Sequence, residues 1–104
     1  MSMSSTLTRI RSLIERDQFL ISNHARARMF QRNISTEDMR KMVVDGEVIE
    51  EYADDHPCPS YLILGFSEHI PFHLVVAECE DHARIITIYM PDEEKWINYK
   101  KRRL

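Results

Sequence analysis

The chain has little glycine, little cysteine and no long apolar run. Only two glycines occur in 104 residues, and neither stands in a phosphate-binding loop of the P-loop or dinucleotide-binding kind. No window approaches the roughly 18 apolar residues of a membrane span, and the N-terminus lacks the charged-then-apolar order of a signal peptide. The G-x-S-x-G and H-E-x-x-H signatures are also missing. These absences disfavour nucleotide hydrolysis, hydride transfer and metalloprotease chemistry, and they predict a soluble cytoplasmic protein without membrane contact.

The two cysteines, Cys58 and Cys79, form no C-x-x-C pair. Without an export signal we expect both to stay reduced, so no disulfide is predicted. His56 stands two residues before Cys58, but the spacing of the histidines and cysteines matches no common zinc pattern. The sequence therefore predicts neither a metal nor another cofactor.

The formal charge of −3 hides an uneven distribution along the chain. Residues 1–41 carry eight basic and four acidic side chains, residues 42–81 carry ten acidic and no basic ones, and residues 82–104 carry six basic and three acidic ones. Folding could gather both basic segments on one side, where they would attract a polyanion. Alternatively, the acidic middle could pair with the basic ends.

Three helices are predicted in the first half of the chain. Apolar residues recur at helical spacing over about 5–17, and Ser22 or Asn23 is a suitable N-cap for a second helix ending near Arg32. Ser35 followed by Asp38 resembles a capping box and predicts a third helix over about 36–45.

Four strands are predicted in the second half, over about 47–52, 61–66, 72–79 and 84–90, with connections short enough for hairpins between the last three. A short C-terminal helix is expected to open at Asp92. The sequence therefore predicts one α+β domain over residues 1–104, with N-terminal helices packed on one face of a four-stranded antiparallel sheet.

The second helix carries the best candidate site. His24, Arg28 and Arg32 follow at i, i+4 spacing and would form one polar ridge. A histidine can transfer protons near neutral pH, and arginines stabilise charge that develops on a phosphate. The ordinary alternatives are a solvated surface, or arginines that pair with the carboxylates of residues 50–55 and fasten helix to sheet.

Two residues of the predicted sheet could complete this site. His73 could be a second base or an orienting partner, and Tyr89 could hold a phosphate through its hydroxyl. Their structural alternatives are a hydrogen-bonded core histidine and a half-buried strand tyrosine. Trp96 is expected to pack. Basic side chains that could contact RNA phosphates are Arg26, Lys95, Lys100, Lys101, Arg102 and Arg103, the last four in a tail over 100–104.

Several of these segments together resemble the DUF4258 family. The resemblance covers about residues 19–96 and includes the S-x-H-A-x-x-R-M-x-x-R run from Ser22 to Arg32, the strand around His73 and the I-T-I-Y run ending at Tyr89. It implies a small bacterial or archaeal domain related to RelE-like toxins, with helices packed on an antiparallel sheet. It also implies a partner, an antitoxin with a YgiT-type zinc finger and a helix-turn-helix.

Three functions remain open from the sequence. The first is a metal-independent endoribonuclease toxin of a type II toxin-antitoxin system that acts on mRNA, on or off the ribosome. In it, His24 or His73 would transfer protons, the arginines would supply charge, and Tyr89 would orient the substrate. The second is a non-catalytic module that binds an antitoxin-like regulator, and the third is an RNA-binding domain without cleavage.

Overall fold

A computed structural model of the protein describes residues 3–104, with side chains from residue 6 onward. The elements in chain order are α1 (Met3–Glu15), β1 (Phe19–Ile21), α2 (Asn23–Gln31), α3 (Thr36–Val44), β2 (Glu47–Tyr52), β3 (Ser60–Ser67), β4 (Ile70–Glu78), β5 (Ala83–Tyr89), β6 (Trp96–Ile97) and β7 (Lys101–Arg102). None of the described helices is long and apolar enough to cross a membrane.

Local signals set the starts of α2 and α3, as the sequence predicts. The Ser22 hydroxyl accepts a hydrogen bond from the backbone N–H of Ala25 at 3.0 Å. Ser35 and Asp38 form a reciprocal capping box, with both bonds at 3.0 Å. Each cap satisfies donors that the first turn of a helix cannot satisfy itself, which fixes where the helix begins.

The main sheet has five strands in the order β1-β5-β4-β3-β2, and β1 runs parallel to β5. The prediction of a four-stranded antiparallel sheet is therefore wrong, although the four predicted strands are present as β2 to β5. The missed strand is only three residues long and pairs with a segment more than sixty residues away. Its sequence, Phe19 to Ile21, is too short to show a periodicity, so only the long-range pairing reveals it.

The predicted C-terminal helix is also absent from the described residues. Asp92 does open a turn, in which its carboxylate accepts the backbone N–H of Glu94 at 2.9 Å. The turn then gives way to a two-stranded ribbon, in which β6 pairs with β7. Asn98 and Tyr99 take positive φ angles of 52° and 66° in the connection. Left-handed residues cannot continue a right-handed helix, so the chain reverses instead.

The sheet has two different faces. Alternate residues of the central strands, among them Ile63, Leu74 and Ile85, join the apolar residues of α1, α2 and α3 in one core. The residues between them point away from the helices. We call this second side the open face. The ribbon of β6 and β7 covers its middle, where Trp96 is buried.

A disulfide links Cys58 and Cys79, whose Cα atoms are 5.2 Å apart. The expectation of two reduced thiols is therefore wrong. Antiparallel pairing of β3 with β4 explains the contact, because Ser60 lies opposite Ala77 and Pro59 accepts a backbone hydrogen bond from Glu78. The next residues outward on the two strands are the cysteines. Spacing along the chain cannot reveal a contact that strand register creates.

We expect Gly65→Ala to destabilise the fold by about 1 to 3 kcal/mol, because it overpacks the contact between β3 and α3. A Cβ at Gly65 would lie 2.8 Å from both the Cβ and the carbonyl oxygen of Met42. Urea unfolding measures the change. Ser67→Ala on the same strand is the control and should change stability far less. Equal stability of Gly65→Ala and the native protein would contradict the prediction.

Candidate functional site on the open face

The candidate site lies along β5 on the open face. Ile85 and Ile88 belong to the core, so Thr87 and Tyr89 project from the other side of the sheet. On the neighbouring strand, Val75 lies opposite Thr87 and His73 lies opposite Tyr89. The strand therefore presents a hydroxyl, and then a phenol beside a histidine, in a short line.

His24 reaches this line from α2. Its Nε2 lies 2.9 Å from the Oγ1 of Thr87, and Nδ1 has no hydrogen-bond partner among the described side chains. The side chain is exposed. Ser22 fixes the start of the helix by donating from its hydroxyl to the carbonyl of Ile86 at 2.7 Å. The structure thus places a solvent-accessible imidazole two residues along β5 from Tyr89.

Tyr89 borders a cavity of about 330 Å³ that also meets Lys95, Trp96 and Arg102. The guanidinium carbon of Arg102 lies 4.6 Å from the centre of the Trp96 ring, a cation–π contact. Burial raises the pKa of Tyr89, so its hydroxyl keeps its proton at neutral pH. The cavity therefore combines a neutral phenol with two basic side chains and one carboxylate, that of Asp92.

His73 is fully buried beneath this cavity. Its Nε2 lies 2.6 Å from the carbonyl oxygen of Tyr99, and its Nδ1 lies 3.2 Å from the Tyr89 hydroxyl. A carbonyl only accepts, so Nε2 carries the proton and Nδ1 accepts from Tyr89. Trp96 packs edge-on with ring centres 4.5 Å apart. Because both nitrogens are engaged away from water, His73 can position Tyr89 but cannot touch a ligand directly.

The buried state of His73 predicts acid sensitivity. Burial lowers the pKa of His73 from its ordinary value of 6.5, against the opposing influence of the Tyr99 carbonyl and Glu50. The unfolded chain then binds more protons than the folded one, so stability is full above about pH 6.5 and falls as the pH drops below that value.

Urea midpoints measured between pH 7.5 and 5 should therefore decrease toward acid in the native protein. In His73→Asn the decrease should be smaller, even if that variant is less stable at pH 7.5. A decrease of the same size in both proteins would show that other groups cause the effect.

The carboxylate of Glu50, on β2, holds Tyr52 and Arg102 by hydrogen bonds. Glu50 accepts from the Tyr52 hydroxyl at 2.7 Å and from Nε and Nη2 of Arg102 at 2.8 and 3.2 Å. Burial opposes ionisation of Glu50, but the hydrogen bonds from Arg102 and Tyr52 outweigh it and lower its pKa. Burial and the bond to Glu50 raise the pKa of Tyr52 to about 12. These residues hold the ribbon against the sheet and keep Arg102 in place.

The arginines of α2 are unpaired. Arg26, Arg28 and Arg32 are exposed, and their guanidinium groups make no hydrogen bond or ion pair with any described residue. The helix starts beside Ile86 and ends beside the β3–β4 turn, where Arg32 and Ser67 border one small cavity. The helix therefore runs along β5 in the direction of Tyr89, and Arg32 follows its last residue, where it borders a cavity shared with Asp38 of α3 and the core residue Phe72.

The other predicted RNA-contacting residues divide into two groups. Arg102 pairs with Glu50, Lys100 lies 3.0 Å from Glu47, and Arg103 donates to the carbonyl of Glu93. Lys95 and Lys101 have no such partner in the described part of the chain. The acidic middle of the sequence thus neutralises part of the basic C-terminus, which was one of the two alternatives.

The structure brings together His24, His73 and Tyr89 on one side of the sheet, and it adds residues that the sequence did not single out. Thr87 and the pair of Glu50 with Arg102 were missed. Thr87 could have been found, because it stands two residues before Tyr89 in a strand and must share its face. The pairing of Glu50 with Arg102 depends on how the ribbon folds back, which no sequence pattern indicates.

The fold and the site define a small α+β domain whose polar sheet face is flanked by an arginine-bearing helix. The chain belongs to the DUF4258 family, described as a domain of unknown function, whose model matches residues 21–90. That span contains His24, Arg28, Arg32, His73 and Tyr89, and the resemblance seen in the sequence is confirmed at this level. Searches of curated proteins and of solved structures found no match.

Proposed function

We propose that this domain is a metal-independent endoribonuclease, related to the RelE-like toxins and acting as the toxin of a type II toxin-antitoxin pair. The observation that carries the proposal is the exposed imidazole of His24, hydrogen-bonded to Thr87, which stands two residues before Tyr89 on β5. Cleavage at a phosphodiester needs a proton acceptor and cationic groups near the phosphorus. In this proposal the cations are the unpaired arginines of α2, the helix that also carries His24.

The reaction would proceed by attack of the ribose 2′-oxygen on the adjacent phosphorus. His24 accepts the 2′-hydroxyl proton through Nδ1 as the new P–O bond forms. The bond to the 5′-oxygen breaks, and that oxygen takes a proton from water. The products are a 2′,3′-cyclic phosphate and a 5′-hydroxyl end, and His24 returns its proton to solvent.

Arginines and the phenol would have separate parts in this step. Arg28 and Arg32 stabilise negative charge on the pentacoordinate phosphorus, because their guanidinium groups are free of carboxylates. Tyr89 donates to His73, so its oxygen presents lone pairs to a ligand and orients a hydroxyl or an amine by accepting from it. His73 acts only as a positioning residue.

Purified protein incubated with RNA in EDTA tests the proposal. We expect cleavage that leaves 2′,3′-cyclic phosphate ends and no cleavage of DNA of the same sequence, since DNA lacks the attacking hydroxyl. A single 2′-deoxynucleotide at the cut position should block that cut. Intact RNA, whether free or on ribosomes, would contradict the proposal.

A second candidate function is the binding of a protein partner, and a group of exposed apolar side chains favours it. Phe66 and Ile70 flank the β3–β4 turn, Met90 follows β5, and Phe30 lies in the last turn of α2. Ile70 borders the same cavity as Arg32, just beyond α2, and Phe66 and Met90 lie at this same end of β3 and β5. Phe30 is 89% exposed, and exposed apolar groups of this kind often mark protein interfaces.

The partner proposed for this end of the sheet is an antitoxin with a YgiT-type zinc finger and a helix-turn-helix. Co-expression with the product of the adjacent gene tests the idea. Phe30→Ser should prevent co-purification, whereas Leu20→Ser, which removes another exposed apolar side chain, 59% exposed, from β1, should not. Equal recovery of the partner with both variants would argue against this surface.

A further inference from the structure

A groove of about 550 Å³ lies at the other end of the open face, and the mechanism proposed above does not use it. Ala77 and Ile86 border it from β4 and β5, and Ser22 borders it at the start of α2. Ile86 precedes Thr87, and Ser22 stands two residues before His24. The groove therefore adjoins the proposed catalytic histidine on the side opposite Tyr89.

One wall of the groove is the loop between β2 and β3, including His56 and Pro57. The disulfide of Cys58 with Cys79 ties this loop to the end of β4. A hydrogen bond from the Ser60 hydroxyl of β3 to the Asp55 carboxylate fixes the first half of the same loop. A loop with these restraints forms a lasting wall, so the groove is a preformed cavity of the size that small ligands occupy.

The groove has an apolar base and a cationic side. Ala77, Ile86 and Pro57 offer apolar surface. Arg84 lies on β5, and its guanidinium group makes no hydrogen bond or ion pair with any described residue. His56 is exposed and likewise unpaired. Asp55 is the one carboxylate bordering the groove, and Ser60 already engages it. A flat, partly apolar group that carries a phosphate fits this combination.

We propose that the groove binds one nucleotide of the RNA, adjacent to the phosphate at the cut, where His24 accepts the proton of the attacking 2′-hydroxyl. The base lies on the apolar surface of Ala77, Ile86 and Pro57, and Arg84 pairs with the phosphate of that nucleotide. The proposal rests on the ribonuclease function and adds to it a binding site for one nucleotide of the substrate. The groove would then determine which nucleotide stands next to the cut.

Titration with adenosine 3′-monophosphate and uridine 3′-monophosphate, followed by amide NMR, tests binding without any need for cleavage. We expect chemical shift changes at Ser22, Ala77 and Ile86. Arg84→Ala should weaken the affinity about tenfold, because a charge-assisted hydrogen bond is lost. Lys41→Ala, which removes an exposed cation from α3 on the helix side of the sheet, should leave it unchanged.

Inorganic phosphate serves as the second probe, since it carries the phosphate charge but no nucleobase. It should bind more weakly than either nucleotide and should not shift Ala77 and Ile86. Cys58→Ser combined with Cys79→Ser frees the loop and should weaken nucleotide binding while the core amide signals stay in place.

The two proposals fail separately. Nucleotide binding in the groove without any RNA cleavage would overturn the ribonuclease function and leave the groove as a nucleotide site. Cleavage of RNA with unchanged efficiency and base preference in Arg84→Ala, together with no shift of the groove amides, would overturn the groove proposal alone.

Discussion

His24→Asn is expected to lower the rate constant of RNA cleavage by about 10² to 10⁴, the usual contribution of a positioned general base. The side chain is exposed and has a single hydrogen-bond partner, Thr87. Its loss should therefore cost little stability. Single-turnover cleavage at saturating protein measures the chemical step directly, and a thermal unfolding curve confirms that the variant is folded.

His69→Asn is the matched control for this prediction. His69 is an exposed histidine of the β3–β4 turn with a positive φ of 68°, a conformation that asparagine tolerates well. Its substitution removes the same ring from a different place and should leave the rate unchanged. In cells, growth arrest on expression should disappear with His24→Asn and persist with His69→Asn. Undiminished cleavage by His24→Asn would rule out His24 as the base.

The double substitution Arg28→Glu and Arg32→Glu is expected to lower cleavage by about 10² to 10³, in the range seen when a group that stabilises the transition state is removed. Neither arginine has a carboxylate partner among the described residues. The replacement therefore breaks no internal ion pair. Two anions at the C-terminal end of α2 should cost only about 1 kcal/mol of stability through the helix dipole, so the variant stays folded. Both the affinity for RNA and its dependence on salt should decrease, because fewer phosphates are neutralised.

A control must show whether the loss of cleavage comes from the change in net charge or from the position of the two arginines on α2. Lys41→Glu together with Arg16→Glu makes the same change of net charge at two exposed cations, one in α3 and one directly after α1. This control should retain most of the cleavage. If the control and the double variant of α2 lose activity equally, then overall charge and not the ridge explains the loss.

The parts of the fold that the sequence predicts are those fixed by local chemistry. Ser22 and the pair of Ser35 with Asp38 predict the starts of α2 and α3, because a cap bonds to backbone groups within one turn of itself. Runs of β-branched and aromatic residues predict the strands β2 to β5. The parallel strand β1 and the disulfide were missed, because each depends on a partner far along the chain. The ribbon was missed because its strands are only two residues long and the left-handed conformation of Asn98 and Tyr99 between them has no sequence pattern.

In the candidate site, too, the sequence predicts what depends on neighbouring residues and misses what depends on tertiary contacts. The spacing of His24, Arg28 and Arg32 on one helix can be read from the sequence, and so can the candidacy of His73 and Tyr89. What the sequence could not show is the difference between the two histidines. Burial under Trp96 and the carbonyl of Tyr99 remove His73 from contact with water, whereas His24 remains exposed. Both are single histidines within regular elements, so no local pattern distinguishes them.

The hydrogen bond between His73 and Tyr99 bears on where the folding unit ends. The family match stops at residue 90, yet a central sheet residue depends on a carbonyl nine positions beyond that boundary. A fragment trimmed to the matched span would leave this imidazole without its acceptor and the middle of the sheet without Trp96. Expression of residues 21–90 alone is therefore a poor route to a folded sample, and domain limits for this chain are better drawn past Arg102.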